Sequence, residues 1–378
     1  MLKDENIDKA FRNAAKGKKK KRRKDVAEIL RNLDAEKEKL KKEIENETYK
    51  PKKLKSTEIH KKETTKKTRR IAKPIYKDQI VHHLIVNQLQ PIVTHGLYEH
   101  VYGSIPGKGT HAGKKVVEKW IKQYENKKFY ILKCDIHHFF ESIPTDCLKK
   151  KIEKTIRDKR FKKLLYKVLE SKYGNKNIGL CLGLYTSPWL ANLYLKKLDH
   201  FIMQQLKADH YIRYMDDMVV FGRNKKELHK IKAEMEKELE KLGLEFKSDW
   251  QVFKFEKANK NGKIAGRHLD FMGFVFHRKR TGIRKSILKR ARRKALNISK
   301  KRKVSWYDAT AMISYLGWFK HTDTYGYYQA YIKPHISVKH LKKLVSHHQK
   351  KEKRRKNDKL ERNIRRQKTG RIGYNIVT

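Results

Sequence analysis

The chain reads His210-Tyr-Ile-Arg-Tyr-Met-Asp-Asp-Met-Val-Val-Phe-Gly222 past its midpoint. Two apolar, β-forming runs flank two adjacent carboxylates, Asp216 and Asp217, and Gly222 ends the second run. This pattern predicts a β-hairpin with the acids at its turn. Paired carboxylates at a turn form either a solvated acidic loop or a site for a hard cation such as Mg²⁺, which takes one or two protein carboxylates together with substrate phosphates.

A third carboxylate follows another apolar run. The residues Phe129-Tyr-Ile-Leu-Lys-Cys134 predict a buried strand, and Asp135 ends it. A carboxylate in an apolar strand is costly unless a cation or hydrogen bonds neutralise its charge. Asp135 precedes Asp216 by 81 residues (216 − 135), which fits two neighbouring strands of one antiparallel sheet linked through helices. The sequence therefore predicts that Asp135 joins the acidic pair in one metal site.

The charge balance indicates a polyanionic partner. The 378 residues include 96 Lys and Arg against 41 Asp and Glu, a formal net charge of +55, and nucleic acid is the expected polyanion. A membrane surface is the alternative, but no apolar run approaches the ~18 residues of a transmembrane helix, and the first residues lack a signal-peptide core. Three cysteines without metal-type spacing predict reduced thiols in a cytoplasmic protein. They are Cys134, Cys147 and Cys181.

The acidic segments resemble motifs of a known family. Tyr214-Met-Asp-Asp217 resembles the signature of reverse transcriptases, and Asp135-Ile-His-His-Phe-Phe140 is similar to the first carboxylate motif of that family. The resemblance implies a site for two Mg²⁺ ions, for which Mn²⁺ can substitute. The implied metal-binding residues are Asp135, Ile136, Asp216 and Asp217.

Two further residues acquire catalytic or selective roles from the same resemblance. Phe140 matches the aromatic residue that excludes a ribose 2′-hydroxyl and so selects deoxynucleotides; the alternative is a core phenylalanine, which we expect Phe139 to be. Lys247 resembles the lysine that protonates the leaving pyrophosphate; the alternative is a surface lysine.

Basic and small residues elsewhere resemble substrate-binding segments. Arg70 and Lys73 are candidates for gripping the incoming triphosphate, with a solvated surface pair as the alternative. Lys108 lies in a glycine-rich loop that either holds a phosphate or template backbone or is a plain turn. The segment 178–199, which lies under the template in the family, adds three candidates: Gly183, Ser187 and Asn192.

Capping signals predict where several helices begin. Asp78 is a good N-cap for a helix that continues past Leu89, and Ser187 followed by Pro188 predicts the cap and first residue of another. Ser305-Trp-Tyr-Asp308 resembles a capping box.

The C-terminal third predicts a nucleic-acid surface. Residues 278–303 contain 14 Lys and Arg and no acid, and an apolar stripe recurs every four residues from Ile287. This suits a thumb helix lying along a duplex. A strand pair over 268–276 resembles the hairpin that grips a primer end, although a plain core hairpin has the same pattern. The candidate primer and template contacts are Met272, Gly273, Arg284, Arg292 and Arg293.

The resemblance covers roughly residues 65–345 and implies an α+β fold. It is the right-hand polymerase fold of fingers, palm and thumb, with an antiparallel palm sheet and a helical thumb. The predicted domains are a basic helical extension over 1–55, fingers over 56–125, a palm over 126–276 with fingers elements at 150–186, a thumb over 277–345, and a basic tail over 346–378.

The implied function is that of an RNA-directed DNA polymerase. Its expected partners are a dedicated non-coding template RNA, dNTPs, the cDNA product and an accessory protein subunit. Leu182 is typical of enzymes of diversity-generating retroelements and Pro188 of group II intron enzymes, so a compact retroelement or phage-defence enzyme and an intron maturase both stay open. An RNA-binding scaffold with an inherited polymerase core is the hypothesis from a different class.

Overall fold

The computed structural model describes residues 1–16, 24–60, 68–125, 127–172, 177–258, 261, 263–351 and 354. Most of the basic run at 18–24 and of the predicted basic tail lies outside these residues. The chain divides into two compact units, Met1–Arg267 and His268–Thr378. The strand pair over 268–276, which the sequence assigns to the palm, therefore falls in the second unit.

Helices and short strands alternate along the first unit. Its described helices are α1 (Asp4–Ala14), α2 (Lys24–Arg31), α3 (Leu33–Glu45), α4 (Tyr76–Thr94), α5 (Thr110–Gln123), α6 (Phe139–Ser142), α7 (Thr145–Thr155), α8 (Lys159–Glu170), α9 (Ser187–Gln204) and α10 (Lys225–Glu240). Its described strands are β1 (Lys55–His60), β2 (Thr68–Lys73), β3 (Val101–Tyr102), β4 (Tyr130–Asp135), β5 (His210–Tyr214), β6 (Asp217–Gly222), β7 (Gln251–Lys254), β8 (Lys257–Ala258) and β9 (Ile264–Ala265).

A five-stranded sheet in the order β3-β5-β6-β4-β7 forms the centre of this unit. The predicted hairpin is present as β5 and β6, and β4 pairs antiparallel with both β6 and β7. The expectation of an antiparallel sheet is wrong for one edge, where β3 pairs parallel with β5. Several helices separate β3 from β5 in the chain, so no tight turn fixes their relative direction.

The sheet is covered on both faces, which explains the continuous apolar run of β6. All four residues from Met218 to Phe221 are buried. On one face, side chains of α9 and α10 belong to the same core as Leu132 and Val220. On the other, the Trp120 ring of α5 lies 5.6 Å from the Phe221 ring. A strand buried on both sides loses the alternation that a half-exposed strand shows.

The start of α4 differs from the prediction. The helix begins at Tyr76, whose N–H donates to Asp25 Oδ2 of α2 at 3.2 Å. The predicted cap, Asp78, is buried inside the helix and accepts hydrogen bonds from the Tyr49 hydroxyl at 2.8 Å and from the Lys52 N–H at 3.1 Å. The prediction was wrong because it assumed a cap close in sequence, whereas an acid from the preceding helices takes the exposed N–H group.

The second unit is a small sheet followed by helices. Its described elements are β10 (Leu269–Phe271), β11 (Phe274–Phe276), β12 (Thr281–Ile283), α11 (Lys285–Ser299), α12 (Trp306–Lys320), α13 (Tyr325–Tyr331), a 3₁₀ turn (Lys333–His335) and a helix over 338–351. The capping box at Ser305 and Asp308 is confirmed, with both reciprocal hydrogen bonds present. Among the residues described in either unit, no helix combines the length and apolarity needed to cross a membrane.

Candidate active site

Three carboxylates meet at one end of the central sheet. β5 and β6 pair Tyr214 with Asp217, which leaves Met215 and Asp216 as the turn. The next ladder pairs Asp217 with Asp135, the last residue of β4. The prediction of neighbouring antiparallel strands is therefore confirmed. Asp217 opens β6, however, so only one of the two adjacent acids lies in the turn itself.

Burial and like charge both act on Asp216. Burial raises the pKa of its carboxyl above the ordinary value, and the charge of Asp135 raises that pKa further, while Lys247 and Arg69 act in the opposite direction. Ionisation of Asp216 is therefore more costly in the protein than ionisation of a free carboxyl group. A cation bound next to both acids would relieve this repulsion.

Lys247 contacts Asp135 directly. Its ammonium donates a hydrogen bond to Asp135 Oδ1, and its backbone N–H donates to the Asp135 carbonyl oxygen at 2.8 Å. The two side chains are 31% and 30% exposed, so we ascribe little stability to the pair. The contact shows that Asp135 accepts a positive charge at this position.

A second acid–base pair lies beside this one. Ile136 and Phe246 form a β-bridge and are both buried, so the residues flanking them point to the opposite face. On that face, His137 Nδ1 lies 2.8 Å from Glu245 Oε1, and the His137 N–H donates to the Glu245 carbonyl oxygen at 2.9 Å. The open face next to the acids therefore carries groups of both signs.

The donor set fits a hard divalent cation. Carboxylates on adjacent strands supply the oxygen ligands that Mg²⁺ and Mn²⁺ prefer. Ile136 is buried and its N–H donates to the Asp216 carbonyl oxygen at 3.2 Å, so it offers only its own carbonyl oxygen. In the described part of the chain, the oxygens of all three acids do not lie within 4.8 Å of one another. A cation that binds them must compete with Lys247 for Asp135.

The segment before α9 packs closely on β2. Gly183 has φ +96°, and a Cβ there would lie 2.6 Å from Ile71 Cγ2 and 2.8 Å from the Ala72 carbonyl oxygen. The Ala72 N–H donates to the carbonyl oxygen of the residue before the glycine at 2.7 Å. Only glycine combines this φ with so close an approach. Gly183 therefore fixes the loop against the strand that carries Arg70 and Lys73.

Two predicted substrate contacts have partners within the protein. Ser187 is the first residue of α9 and not its cap; its buried hydroxyl donates to the Cys181 carbonyl oxygen at 2.7 Å. The capping prediction was wrong because this acceptor lies in the packed loop preceding the helix. Asn192 is fully buried, and its amide donates to the Gly103 carbonyl oxygen at 3.3 Å and accepts from Arg213 at 3.1 Å.

The predicted phosphate-binding cations do not form a single group. The Arg70 Nε donates to Ser56 Oγ at 2.8 Å, and Lys73 is exposed at the end of β2. An odd spacing in a strand directs these two side chains to opposite faces. Lys108 Nζ donates to the Glu99 carbonyl oxygen at 2.5 Å and so closes its own loop.

Phe140 lies in α6, close in sequence to Asp135. Its ring is half-buried and packs at 5.5 Å from the ring of Phe139, which is buried as expected of a core residue. The Leu180 N–H donates to the Phe140 carbonyl oxygen at 2.6 Å. The backbone is thus fixed while part of the ring stays open to a ligand.

The predicted primer-gripping hairpin has a left-handed turn. Met272 and Gly273 lie between β10 and β11 at φ +52° and +88°, as a type I′ turn requires. A Cβ on Gly273 would lie 2.8 Å from the Trp318 ring. Nearby, Arg284 Nε donates to Asp270 Oδ1 at 2.7 Å. These contacts make the hairpin part of the packing of the second unit.

The other predicted primer and template contacts are exposed on α11. The Arg292 guanidinium lies 4.8 Å from the centre of the Tyr331 ring, and Arg293 is exposed one residue further. The remaining exposed cations of this helix are Lys285, Lys289 and Arg290. Since Ile287 and Ala291 are buried, the predicted division into an apolar stripe and a cationic surface is confirmed.

The sequence interpretation missed an ion pair behind the hairpin. Arg213 and Asp199 are both completely buried and form two parallel hydrogen bonds of 2.7 Å. Burial alone would lower the pKa of the guanidinium, but the Asp199 charge outweighs it and raises that pKa. The signal was available: Arg213 interrupts an apolar strand just as Asp135 does, and the same reasoning would have found it.

A protein-family model decides the relationship. The model described as "Reverse transcriptase (RNA-dependent DNA polymerase)" matches residues 59–276, which include all three carboxylates. The chain belongs to the reverse transcriptase family. Its curated relatives include the group II intron-encoded protein LtrA of Lactococcus lactis subsp. cremoris, 27% identical over 187 residues, which are 46% of this chain and 30% of LtrA.

Another relative matches over a shorter segment. A 91 kDa protein in the cob intron of Schizosaccharomyces pombe is 31% identical over 136 residues, covering 33% of this chain and 16% of that protein. The matches thus span a third or less of these two relatives' lengths. Among solved structures, telomerase of Candida albicans with a telomeric RNA fragment aligns with a TM-score of 0.45 at 13% identity, covering 74% of this chain and 55% of that one.

Proposed function

We propose that this reverse transcriptase family member is an RNA-directed DNA polymerase that makes cDNA by two-metal nucleotidyl transfer. The observation that carries the proposal is the register of Asp135 opposite Asp217, with Asp216 in the adjoining turn. The family match supports RNA as template. We assign residues 56–125 to fingers, residues 126–276 to a palm with fingers elements at 150–186, and residues 277–345 to a thumb.

The proposed mechanism rests on positioning and charge. Two Mg²⁺ ions, when bound, would lower the pKa of the primer 3′-hydroxyl and stabilise charge on the triphosphate. Asp135, Asp216 and Asp217 are the residues that would hold these ions. Lys247, whose ammonium contacts Asp135, would supply the proton that the leaving pyrophosphate takes. Phe140 contacts the sugar and disfavours a 2′-hydroxyl.

The nucleic-acid contacts are proposed from charge and exposure. The exposed cations of α11, including Arg292 and Arg293, suit the phosphates of a template–primer duplex. Arg70 and Lys73 lie on opposite faces of β2, and we propose that one of them reaches the triphosphate while the other contacts template. The native template, we propose, is a dedicated RNA of a retroelement or phage-defence system.

A group II intron-type maturase, or an RNA-binding scaffold with a polymerase core, is the second candidate. The observation in its favour is the match to a group II intron-encoded protein. The polymerase and the scaffold differ in whether the protein must incorporate dNTPs. The first requires dNTP incorporation, whereas the scaffold requires only binding of a structured RNA.

The test is single-nucleotide extension of a DNA primer on RNA templates that differ in the first unpaired base. Each dNTP should be added only opposite its complement, and NTPs should be poor substrates. Phe140→Ala should reduce the ratio of dNTP to NTP incorporation by about tenfold or more. Phe140→Tyr, which keeps the ring, should preserve that ratio. Addition that ignores the template base would refute templated synthesis, and tight RNA binding without any addition would favour the scaffold.

A further inference from the structure

The buried pair of Arg213 and Asp199 does more than fill the core. The guanidinium uses Nε and Nη2 on the two Asp199 oxygens, and its remaining group, Nη1, donates to the Met215 carbonyl oxygen at 3.0 Å and to Asn192 Oδ1 at 3.1 Å. The Tyr211 hydroxyl donates at 2.8 Å to Asp199 Oδ1, the oxygen that also accepts from Arg213 Nε. The guanidinium therefore connects α9 to the turn of the acidic hairpin.

The backbone N–H and the backbone carbonyl of Met215 are both hydrogen-bonded. Its N–H donates to the Tyr102 carbonyl oxygen of β3 at 3.3 Å, and its carbonyl accepts from Arg213. Asn192 ties the two contacts together, since its amide donates to the Gly103 carbonyl oxygen at 3.3 Å. The carbonyl of Met215 belongs to the same planar peptide group as the N–H of Asp216. A hydrogen bond that fixes the Met215 carbonyl therefore also fixes the backbone orientation of Asp216.

The turn formed by Met215 and Asp216 has an unfavourable conformation that these hydrogen bonds stabilise. Met215 has φ +57°, a left-handed conformation that is unfavourable for a residue with a side chain and persists only where neighbouring structure imposes it. Asp216, the next residue, is half-buried and lies near the like charge of Asp135. Both features favour relaxation of the turn away from Asp135. The Arg213 contact opposes that relaxation.

Stability alone does not account for an ion pair at this place. Replacing a buried ion pair by apolar residues of similar volume is often neutral or stabilising. A single lysine in place of the arginine would keep the charge but lose the fork that serves Asp199 and Met215 together. What only arginine supplies here is the connection between the acid on α9 and the peptide of the turn.

We propose that Arg213, held by Asp199 and Asn192, is a positioning residue that fixes the Met215–Asp216 peptide so that the Asp216 carboxylate faces Asp135 for cation binding. This inference rests on the proposed two-metal function. It assigns Arg213 no contact with substrate. It also gives Asn192 a role in this network and not at the nucleotide.

The test compares two variants with the wild-type protein. In the double variant Asp199→Leu with Arg213→Met, the ion pair is replaced by apolar residues and the turn loses its hold. In Arg213→Lys, the charge opposite Asp199 remains but the bond to the Met215 carbonyl is lost. Tyr49→Phe is the control, because it removes another buried hydrogen bond of the first unit, the one to Asp78.

Two measurements are independent of polymerase activity. Hydrogen exchange of the amides of Met215, Asp216 and Asp217 should accelerate about tenfold or more in both variants, with protection elsewhere retained. The Mn²⁺ concentration for half-saturation, measured by calorimetry, should rise about fivefold or more because the ligand is no longer held in place. In primer extension, raising Mn²⁺ should restore part of the lost kcat, with the KM for template–primer within about twofold of wild type.

The outcome that overturns the proposal is specific. If either variant folds and shows wild-type exchange at the turn and wild-type Mn²⁺ binding, Arg213 is structural only. If Tyr49→Phe shifts the Mn²⁺ midpoint as much as the variants do, the effect is general destabilisation and the proposal fails. If wild-type protein incorporates no dNTP, the proposed function fails, and the exchange and Mn²⁺ comparisons still decide the role of Arg213.

Discussion

At the residue scale, Asp135 and Arg213 are charged residues in mainly apolar strands of the central sheet. Asp135 was found from the sequence because an acid ended an apolar strand, and its register opposite Asp217 agrees with the predicted placement. Arg213 carried the same signal and was missed, because its partner Asp199 lies 14 residues earlier on a helix. Whether a buried charge meets a cation or an opposite charge depends on tertiary contacts that one sequence does not display.

His82 provides a pH-dependent test at this scale. It is buried on α4, with Nδ1 3.1 Å from Thr186 Oγ1, and burial lowers the pKa of its imidazole to about 4, with the charge of His83 contributing. A base with a depressed pKa contributes stability above its unfolded pKa, and this contribution is lost as pH falls through the window from about 6.5 to about 4. The loss should reach about 3 kcal/mol.

Urea unfolding between pH 7.5 and pH 4 measures this contribution. His82→Gln, which cannot titrate, should reduce the change in the free energy of unfolding between these pH values by about 3 kcal/mol. The exposed His95, at the end of the same helix, is the matched control, and His95→Gln should follow the wild-type curve. Equal slopes for His82→Gln and wild type would show that the imidazole is not held neutral by the fold.

Local signals predicted some elements well and failed where a distant residue intervened. The acidic hairpin, the capping box of α12 and the tight β10–β11 turn were all predicted from neighbouring residues. The start of α4 was not, because its first N–H meets Asp25. The parallel edge strand β3 was also missed, since two residues carry no periodicity. Short-range chemistry is readable in the sequence, and contacts between remote segments are not.

The β10–β11 turn gives a prediction at the element scale. Gly273→Ala should destabilise the protein by about 2–4 kcal/mol, because alanine is strained at positive φ and its Cβ meets the Trp318 ring. Gly317→Ala is the matched change in α12, where a Cβ meets nothing within 4 Å. It should stabilise the protein by about 1 kcal/mol through helix propensity.

Chemical denaturation of both alanine variants checks this pair. The two changes add the same methyl group to the same unit, so only the backbone conformation and the neighbouring ring distinguish them. If Gly273→Ala proved as stable as wild type, the turn would not have the left-handed geometry described here.

At the scale of the whole molecule, charge and motif order establish more than local pattern does. The formal charge of +55 indicated nucleic acid, and the ordered motifs indicated the family that the match over residues 59–276 now shows. The sequence assigned the strand pair over 268–276 to the palm, whereas the structure places it in the second unit, because contacts between remote segments decide where a compact unit ends. The native RNA and any accessory subunit leave no motif of their own and stay proposals.

The central claim is that the site formed by Asp135, Asp216 and Asp217 catalyses nucleotide addition. A single-turnover rate tests this claim most directly. The measurement is incorporation of one dNTP on an RNA template–DNA primer with Mg²⁺, for wild type, Asp216→Asn and the control Asp34→Asn, which removes an exposed acid of α3. We predict a loss of about a thousandfold or more for Asp216→Asn and a wild-type rate for the control. Incorporation by Asp216→Asn at the wild-type rate would contradict the account.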